Sequence, residues 1–307
     1  MTERKPILVT GIVRSGSTWT GRMIAASPSV CYLHEPFNRV HRPGLCAVKF
    51  EQWFPYITAE NEHLFYPAVK DTVALRYNIK RDITSLVSLT DITSIARGLA
   101  KFNIGWILRK RPLLKDPLAV LSAPWLAERF DMNIVVVIRH PAAVVSSVLL
   151  KNWEHPFQHF LDQPLLMRDY LQPFREEIED YTAHRYSKLE QAILLWRIIH
   201  FVLLRFKEDH PEWLFVRHED LSRAPILEFR KIYGRLGLVF TSRIQRVIEK
   251  HTDIPHSVDS VEDMDSIRRN SRENISTWKR RLSKADIERI REGTASIAGE
   301  FYSEDDW

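Results

Sequence analysis

Residues 6–19, PILVTGIVRSGSTW, constrain this chain more than any other stretch. Pro6 to Thr10 is a short apolar β-type run. Gly11 to Ser17 form a turn punctuated by glycine and serine, and Thr18 to Ala26 are compatible with a helix. A strand passing through a glycine turn into a helix aims backbone N–H groups and the positive end of the helix dipole at one point, which makes an anion site. The spacing of Gly11 and Gly16 equals that of a Walker A loop, but Ser17 stands where a nucleoside triphosphatase needs Lys. Arg14, inside the loop, supplies positive charge from another direction. The turn is read as built for an anion, but not for ATP hydrolysis.

A second anion site lies further along the chain. Asn133 to Ile138 (NIVVVI) is β-branched and apolar on both faces, as a central parallel strand should be. It runs into Arg139, His140 and Pro141, and a proline fits the first position of a helix. Arg139 therefore sits at the carboxyl end of a central strand, where open α/β sheets bind ligands. Ser147 follows eight residues later, about two helical turns along. A strand-end Arg and a helix Ser can together grip a phosphate group.

Further short strands are expected at 30–33, 113–115 and 214–216, the first of them lying beside the opening strand. Helical patterns occupy roughly 91–109, 117–130, 141–151, 187–208, 224–236, 241–250 and 283–298. This alternation predicts an α/β fold, a parallel sheet flanked by helices, in a single domain over 1–307. Residues 151–185 are rich in Pro, aromatics and charge with weak periodicity. They are read as an insertion over the sheet edge and a candidate lid. Trp53, Trp106, Trp153 and Trp196 are assigned to core or lid packing.

The chain has 307 residues, 45% apolar and 27% charged, which suits a folded protein with a large core. Cys31 and Cys46 allow at most one disulfide and no cysteine zinc site. The opening residues MTERKPILVTG hold no long apolar segment. Ala192 to Phe206 is apolar but carries Arg197, His200 and Arg205, and is too short to span a bilayer. A cytoplasmic chain without a transmembrane anchor is the expectation. The net charge is +5, yet residues 268–284 alone carry seven basic residues and one acidic one. Such a cluster is either a solvated helix face or an anion-facing surface.

The two anion segments together resemble the sulfotransferase family, whose donor is 3′-phosphoadenosine 5′-phosphosulfate (PAPS). VTGIVRSGSTWTGRMI is similar to the family's 5′-phosphosulfate loop, and VVVIRHPAAVVSSVL to its 3′-phosphate motif. The resemblance places Arg14, Ser15, Gly16, Ser17, Thr18 and Trp19 on the donor loop, and Arg139 and Ser147 on the 3′-phosphate. LLKDPLAV, with Lys115, resembles the K-D-P segment of the tyrosylprotein branch. VRHEDLSRAP resembles the family's Y-E-D-L stretch, with His218 in place of Tyr. RNSRENISTWKRRLS resembles the late Arg/Trp segment of the Golgi carbohydrate branch, so Arg268, Arg269 and Ser271 are expected to close over the 3′-phosphate, with Trp278 packing nearby. The fold implied is a P-loop-type parallel sheet. Arg14 replaces the Lys of the cytosolic branch, and that branch's Lys-x-His pair is absent.

The reaction implied moves a sulfuryl group from PAPS to a hydroxyl or amine, with a carbohydrate as the expected acceptor. As in phosphoryl transfer, catalysis should come mostly from positioning and electrostatic stabilisation. Arg14 and Lys115 are the expected cations. Because the sulfuryl group carries less charge than a terminal phosphate, no metal is expected. The acceptor proton needs a base. Glu35, in CYLHEPFN, matches the tyrosylprotein branch's Glu in its distance from the loop Arg, and His34 is the competing base. Insertions at about 41–110 and 151–185 are expected to shape the acceptor site.

Two other readings compete. A P-loop small-molecule kinase would want a Walker Lys at Ser17 and an acidic strand end where Arg139 stands. A nucleic-acid binder would use 268–284, but the modest net charge, the single basic cluster and the lack of a reader motif argue against a nucleic-acid partner.

Overall fold

The computed structural model describes residues 5–84, 89–252 and 275–307. Five parallel strands form one sheet: β1 (Ile7–Thr10), β2 (Val30–His34), β3 (Arg111–Lys115), β4 (Asn133–Ile138) and β5 (Leu214–Arg217), in the order β2-β3-β1-β4-β5. The helices are α1 (Ser17–Ile24), α2 (Tyr66–Val73), α3 (Ile79–Ile83), α4 (Leu89–Ile107), α5 (Ala123–Phe130) and α6 (Pro141–Leu150). The short α7 (Gln158–Leu161), α8 (Pro164–Leu166) and α9 (Arg175–Ala183) follow, then the long α10 (Lys188–Asp209). After β5 come α11 (His218–Arg223), α12 (Pro225–Arg235), α13 (Ser242–Thr252), α14 (Trp278–Arg281) and α15 (Lys284–Ala298).

Alternation along the strands builds two cores. Leu8, Leu114, Ile134 and Val136 face the larger one, which α6, α10 and α15 cover. Ile7, Val9, Leu113, Val135 and Val137 face the smaller one, covered by α1, α12 and α13. Each fully buried Val, Ile or Leu contributes about 1.5–3 kcal/mol, so both faces of the central strands bind their helices firmly. α10 is apolar on most of its surface because it is enclosed; Trp196, Ile199 and Phe206 are all fully buried. Its start is set by a capping box between Ser187 and Glu190. No helix among the described residues is long and apolar enough to cross a membrane.

Two sequence expectations need correction. The strand at 30–33 does not lie beside β1, because β3 inserts between them and leaves β2 at the sheet edge. β3 was hard to read because Arg111, Pro112 and Lys115 flank only two leucines, yet all five residues are buried. The helix expected over 117–130 begins only at Ala123, after a 3-10 turn at Val120–Ser122; Pro124 sits in the first turn of α5, where its missing N–H costs nothing. Residues 151–185 fold into short packed helices whose Phe157, Phe160, Leu171 and Ile178 join the larger core. They are tied to the other insertion, where the Tyr56 N–H donates to Gln163 at 2.7 Å and its hydroxyl to Asp169 at 2.9 Å. Cys31 and Cys46 are both buried free thiols.

Candidate active site

The loop after β1 takes its shape from three residues with positive φ: Gly11 (137°), Arg14 (66°) and Gly16 (97°). A Cβ at Gly11 would stand 2.3 Å from the Val137 carbonyl oxygen, and one at Gly16 only 2.4 Å from His218 Nδ1. Glycine is needed at both places for conformation and for space. The Ser15 N–H closes the turn onto the Ile12 carbonyl at 3.1 Å. Ser15 Oγ is fully buried and has no hydrogen-bond partner among the described residues. A buried hydroxyl without an acceptor is costly, and an oxygen-rich anion in the loop would satisfy it. Ser17 and Thr18 open α1 above this turn, with Gly16 as its left-handed N-cap. The Trp19 ring meets Phe229 edge-on at 5.3 Å and His218 at 5.8 Å, packing α1 against α12.

Arg14 joins the two anion segments. Its Nε donates to Ser147 Oγ on α6 at 2.8 Å, and its own carbonyl accepts from Arg139 Nη1 at 2.8 Å. Its guanidinium lies 5.6 Å from the ring centre of Trp153, in the second insertion. Two cations and a hydroxyl thus share one end of the sheet, at the carboxyl ends of β1 and β4, where the crossovers diverge to opposite sides.

β3 brings the third component. Its last residue, Lys115, pairs in register with both Val9 of β1 and His34 of β2. Lys115 is fully buried and its Nζ donates to the Glu35 carboxylate. Glu35 adopts φ +47° directly before Pro36, a strained conformation for a residue with a side chain. Three bonds hold it there. The Glu35 N–H donates to the Lys115 carbonyl at 2.9 Å, Asn38 Nδ2 donates to its carboxylate at 2.8 Å, and the Phe37 N–H reaches Asp116 Oδ2 at 2.5 Å. Burial pushes the Glu35 pKa up, but the Lys115 charge and the hydrogen bonds from Lys115 and Asn38 outweigh it and hold it below the usual carboxylate range. Burial lowers the Lys115 pKa against the opposing pull of Glu35. Asp116, enclosed and next to Glu35, is pushed up to about 7 by burial and by that neighbouring charge. His34 is exposed, with Nε2 4.0 Å from Glu35 and Nδ1 3.2 Å from the Tyr32 hydroxyl.

An anion loop, two tethered arginines and a Lys–Glu pair thus lie at the carboxyl end of one sheet. The model of the Sulfotransferase family matches residues 6–242. The chain belongs to that family. Carbohydrate sulfotransferase 3 of Mus musculus is 25% identical over 175 residues, covering 55% of this chain and 31% of that protein. Carbohydrate sulfotransferase 4 of Mus musculus is 25% identical over 142 residues, covering 46% of this chain and 31% of that protein. The matched stretches thus span about a third of the length of these curated relatives. Among solved structures, the sulfotransferase domain of the Synechococcus olefin synthase is similar at a TM-score of 0.45 and 16% identity, covering 99% of this chain and 98% of that one.

Several residues of this candidate site escaped the sequence reading. Asn38 and Asp116 orient Glu35, and the signal available for them was their adjacency to it in EPFN and to Lys115 in KDP. Glu219, 3% exposed, caps α6 by accepting the His140 N–H at 3.0 Å and ties it to the C-terminal segment by accepting the Tyr302 hydroxyl at 3.0 Å. Trp278 stacks on His140 at 5.0 Å between ring centres, and Trp307 meets the same ring edge-on at 4.4 Å. These contacts brace the strand end that carries Arg139. Arg268, Arg269 and Ser271 lie outside the described residues.

Proposed function

We propose that this chain transfers a sulfuryl group from PAPS to a hydroxyl or amine of an acceptor, with a carbohydrate as the acceptor class. The observation that carries the reading is the Lys115–Glu35 pair at the end of β3, one strand away from the Arg14 loop. The names of the similar curated proteins support the acceptor class.

The donor supplies the sulfuryl group and, in its bisphosphate, the leaving oxygen. Ser15 Oγ, Ser17, Thr18 and the loop N–H groups suit its sulfated end, and Arg139 with Ser147 suit its 3′-phosphate. Glu35, kept ionised by Lys115, takes the proton from the acceptor hydroxyl as that oxygen bonds to sulfur and the bridging S–O bond breaks in line. Arg14 and Lys115 stabilise the charge that develops on the sulfuryl and leaving oxygens. The ion pair makes Glu35 a weak base at rest. As Lys115 turns toward the growing charge on the leaving oxygen, Glu35 loses that partner and becomes more basic when it must accept the proton. Glu35 is favoured over His34 because four groups fix its position, whereas His34 faces solvent.

Two measurements test the reading. Adenosine 3′,5′-bisphosphate should raise the melting temperature while ATP with magnesium should not. Label from PAPS should then move to members of a panel of glycans, lipids, phenols and peptides, with glycans preferred. Equal stabilisation by ATP with magnesium and no transfer to any acceptor would reject it in favour of a kinase.

A further inference from the structure

α4 is held to the body by a narrow seam. Ile95 and Phe102 are buried on it, and a Cβ at Gly105 would press on Cys31 Sγ at 3.0 Å. Phe102 meets Tyr77 edge-on at 5.2 Å. A helix anchored on one seam normally turns a polar face to water, but this one also exposes large apolar side chains. Ile92, Ile104, Trp106, Ile107 and Leu108 are all more than half exposed, with Trp106 at 63% and Ile107 at 66%. This overturns the assignment of Trp106 to packing. The preceding helix adds Ile79 and Ile83, at 37% and 51% exposed. Most of the large apolar side chains that the described residues expose therefore fall in one stretch of sequence, on two helices that pack together. So concentrated a patch marks an interaction surface rather than scattered surface apolarity.

Basic residues flank the apolar part of α4. From Ile92 to Lys110 the sequence carries four basic residues, Arg97, Lys101, Arg109 and Lys110, and no acidic one. Arg97 and Lys101 stand one turn apart along the side of the apolar stripe, and Arg109 follows its end; all three are exposed. On α3, Lys80 and Arg81 are exposed, whereas Asp82 is turned inward to Tyr77 and Arg42. An exposed apolar face with an indole near one end and a basic margin is the pattern of a helix that lies in the plane of a membrane interface. We propose that α3 and α4 dock this protein on an anionic lipid surface, with Ile92, Ile104, Trp106, Ile107 and Leu108 entering the acyl boundary. Arg97, Lys101 and Arg109 then rest among the acidic headgroups. Because α4 packs on β2, whose end leads into Glu35, docking sets the candidate catalytic edge near that surface.

The test uses the whole chain and phosphatidylcholine vesicles with or without phosphatidylserine, read by co-sedimentation. Binding is expected only with phosphatidylserine and should weaken as salt rises. The Trp106→Ser/Ile107→Ser variant should bind roughly tenfold or more weakly. The Arg97→Ser/Lys101→Ser variant should lose roughly fivefold per charge removed. These side chains are exposed, so melting temperatures should stay unchanged; should the first variant unfold, the second carries the test. Equal binding to both vesicle types, no binding to either, or variants that bind as the parent does would overturn the proposal. So would a concentration-dependent dimer in ultracentrifugation that Trp106→Ser/Ile107→Ser dissolves, since the face would then belong to a second copy of the chain.

Discussion

The Lys115 ammonium, fully buried at the end of β3, is bonded to the carboxylate of Glu35, a residue 80 positions away that is bent into a left-handed turn before Pro36. Each holds the other in its charged form. If the pair works as proposed, Glu35→Gln and Lys115→Ala should each lower turnover by roughly 10²–10⁴. Affinity for adenosine 3′,5′-bisphosphate should change little. Labelled-sulfate assays alongside calorimetric titration separate the two effects. Near-full turnover in Glu35→Gln would move the base to His34.

Arg139 should behave differently. Its guanidinium supports the Arg14 carbonyl and, in the proposed function, holds the donor's 3′-phosphate, so Arg139→Ala should remove a charge-assisted contact and loosen the loop. Bisphosphate affinity should fall by roughly 10–100-fold, corresponding to about 1.5–3 kcal/mol for hydrogen bonds to charged groups. Isothermal titration reads this directly, and unchanged affinity would remove Arg139 from the donor site.

Gly16→Ala tests the loop geometry. With φ at 97° and His218 Nδ1 2.4 Å from the new methyl group, both backbone and neighbour must shift. A loss of about 1–3 kcal/mol is expected from the backbone conformation alone, together with weaker bisphosphate binding. Thermal melting with and without the ligand checks both.

Buried histidines give the fold an acid limit. Burial lowers the pKa of His140 and of His200 to about 3, so between that value and the ordinary 6.5 the folded state binds fewer protons than the unfolded chain. Their contribution is complete above pH 6.5 and is lost as pH falls toward 3. By pH 4.5 each ring costs about 2–3 kcal/mol. Asp116 acts in the opposite sense: raised to about 7, it favours folding most in acid and loses that advantage as pH rises through neutrality. Calorimetry from pH 7.5 to 4.5 should therefore show a shallower loss of stability in His200→Gln than in the parent. Parallel curves would refute this account.

Much of the architecture is a property of neighbouring residues. The glycine loop, the doubly apolar NIVVVI strand and the capping box before α10 follow from φ/ψ preference, β-branching and short-range hydrogen bonds, and each could be read from a few consecutive letters. The residue types at the candidate site were visible for the same reason, since an Arg inside a glycine turn and an Arg at a strand end declare themselves locally.

Tertiary structure alone decided which of these residues meet. Strand order put β3 between β1 and β2, which no local pattern specifies, and that insertion carries Lys115 to Glu35. The contact of Arg14 with Ser147 spans 133 positions. The outward apolar face of α4 likewise depends on which seam the core claimed, because periodicity shows that a helix has sides but not which one is buried. Burial, ion pairing and sheet order are long-range energies, set by the packing of distant segments rather than by the propensities within them.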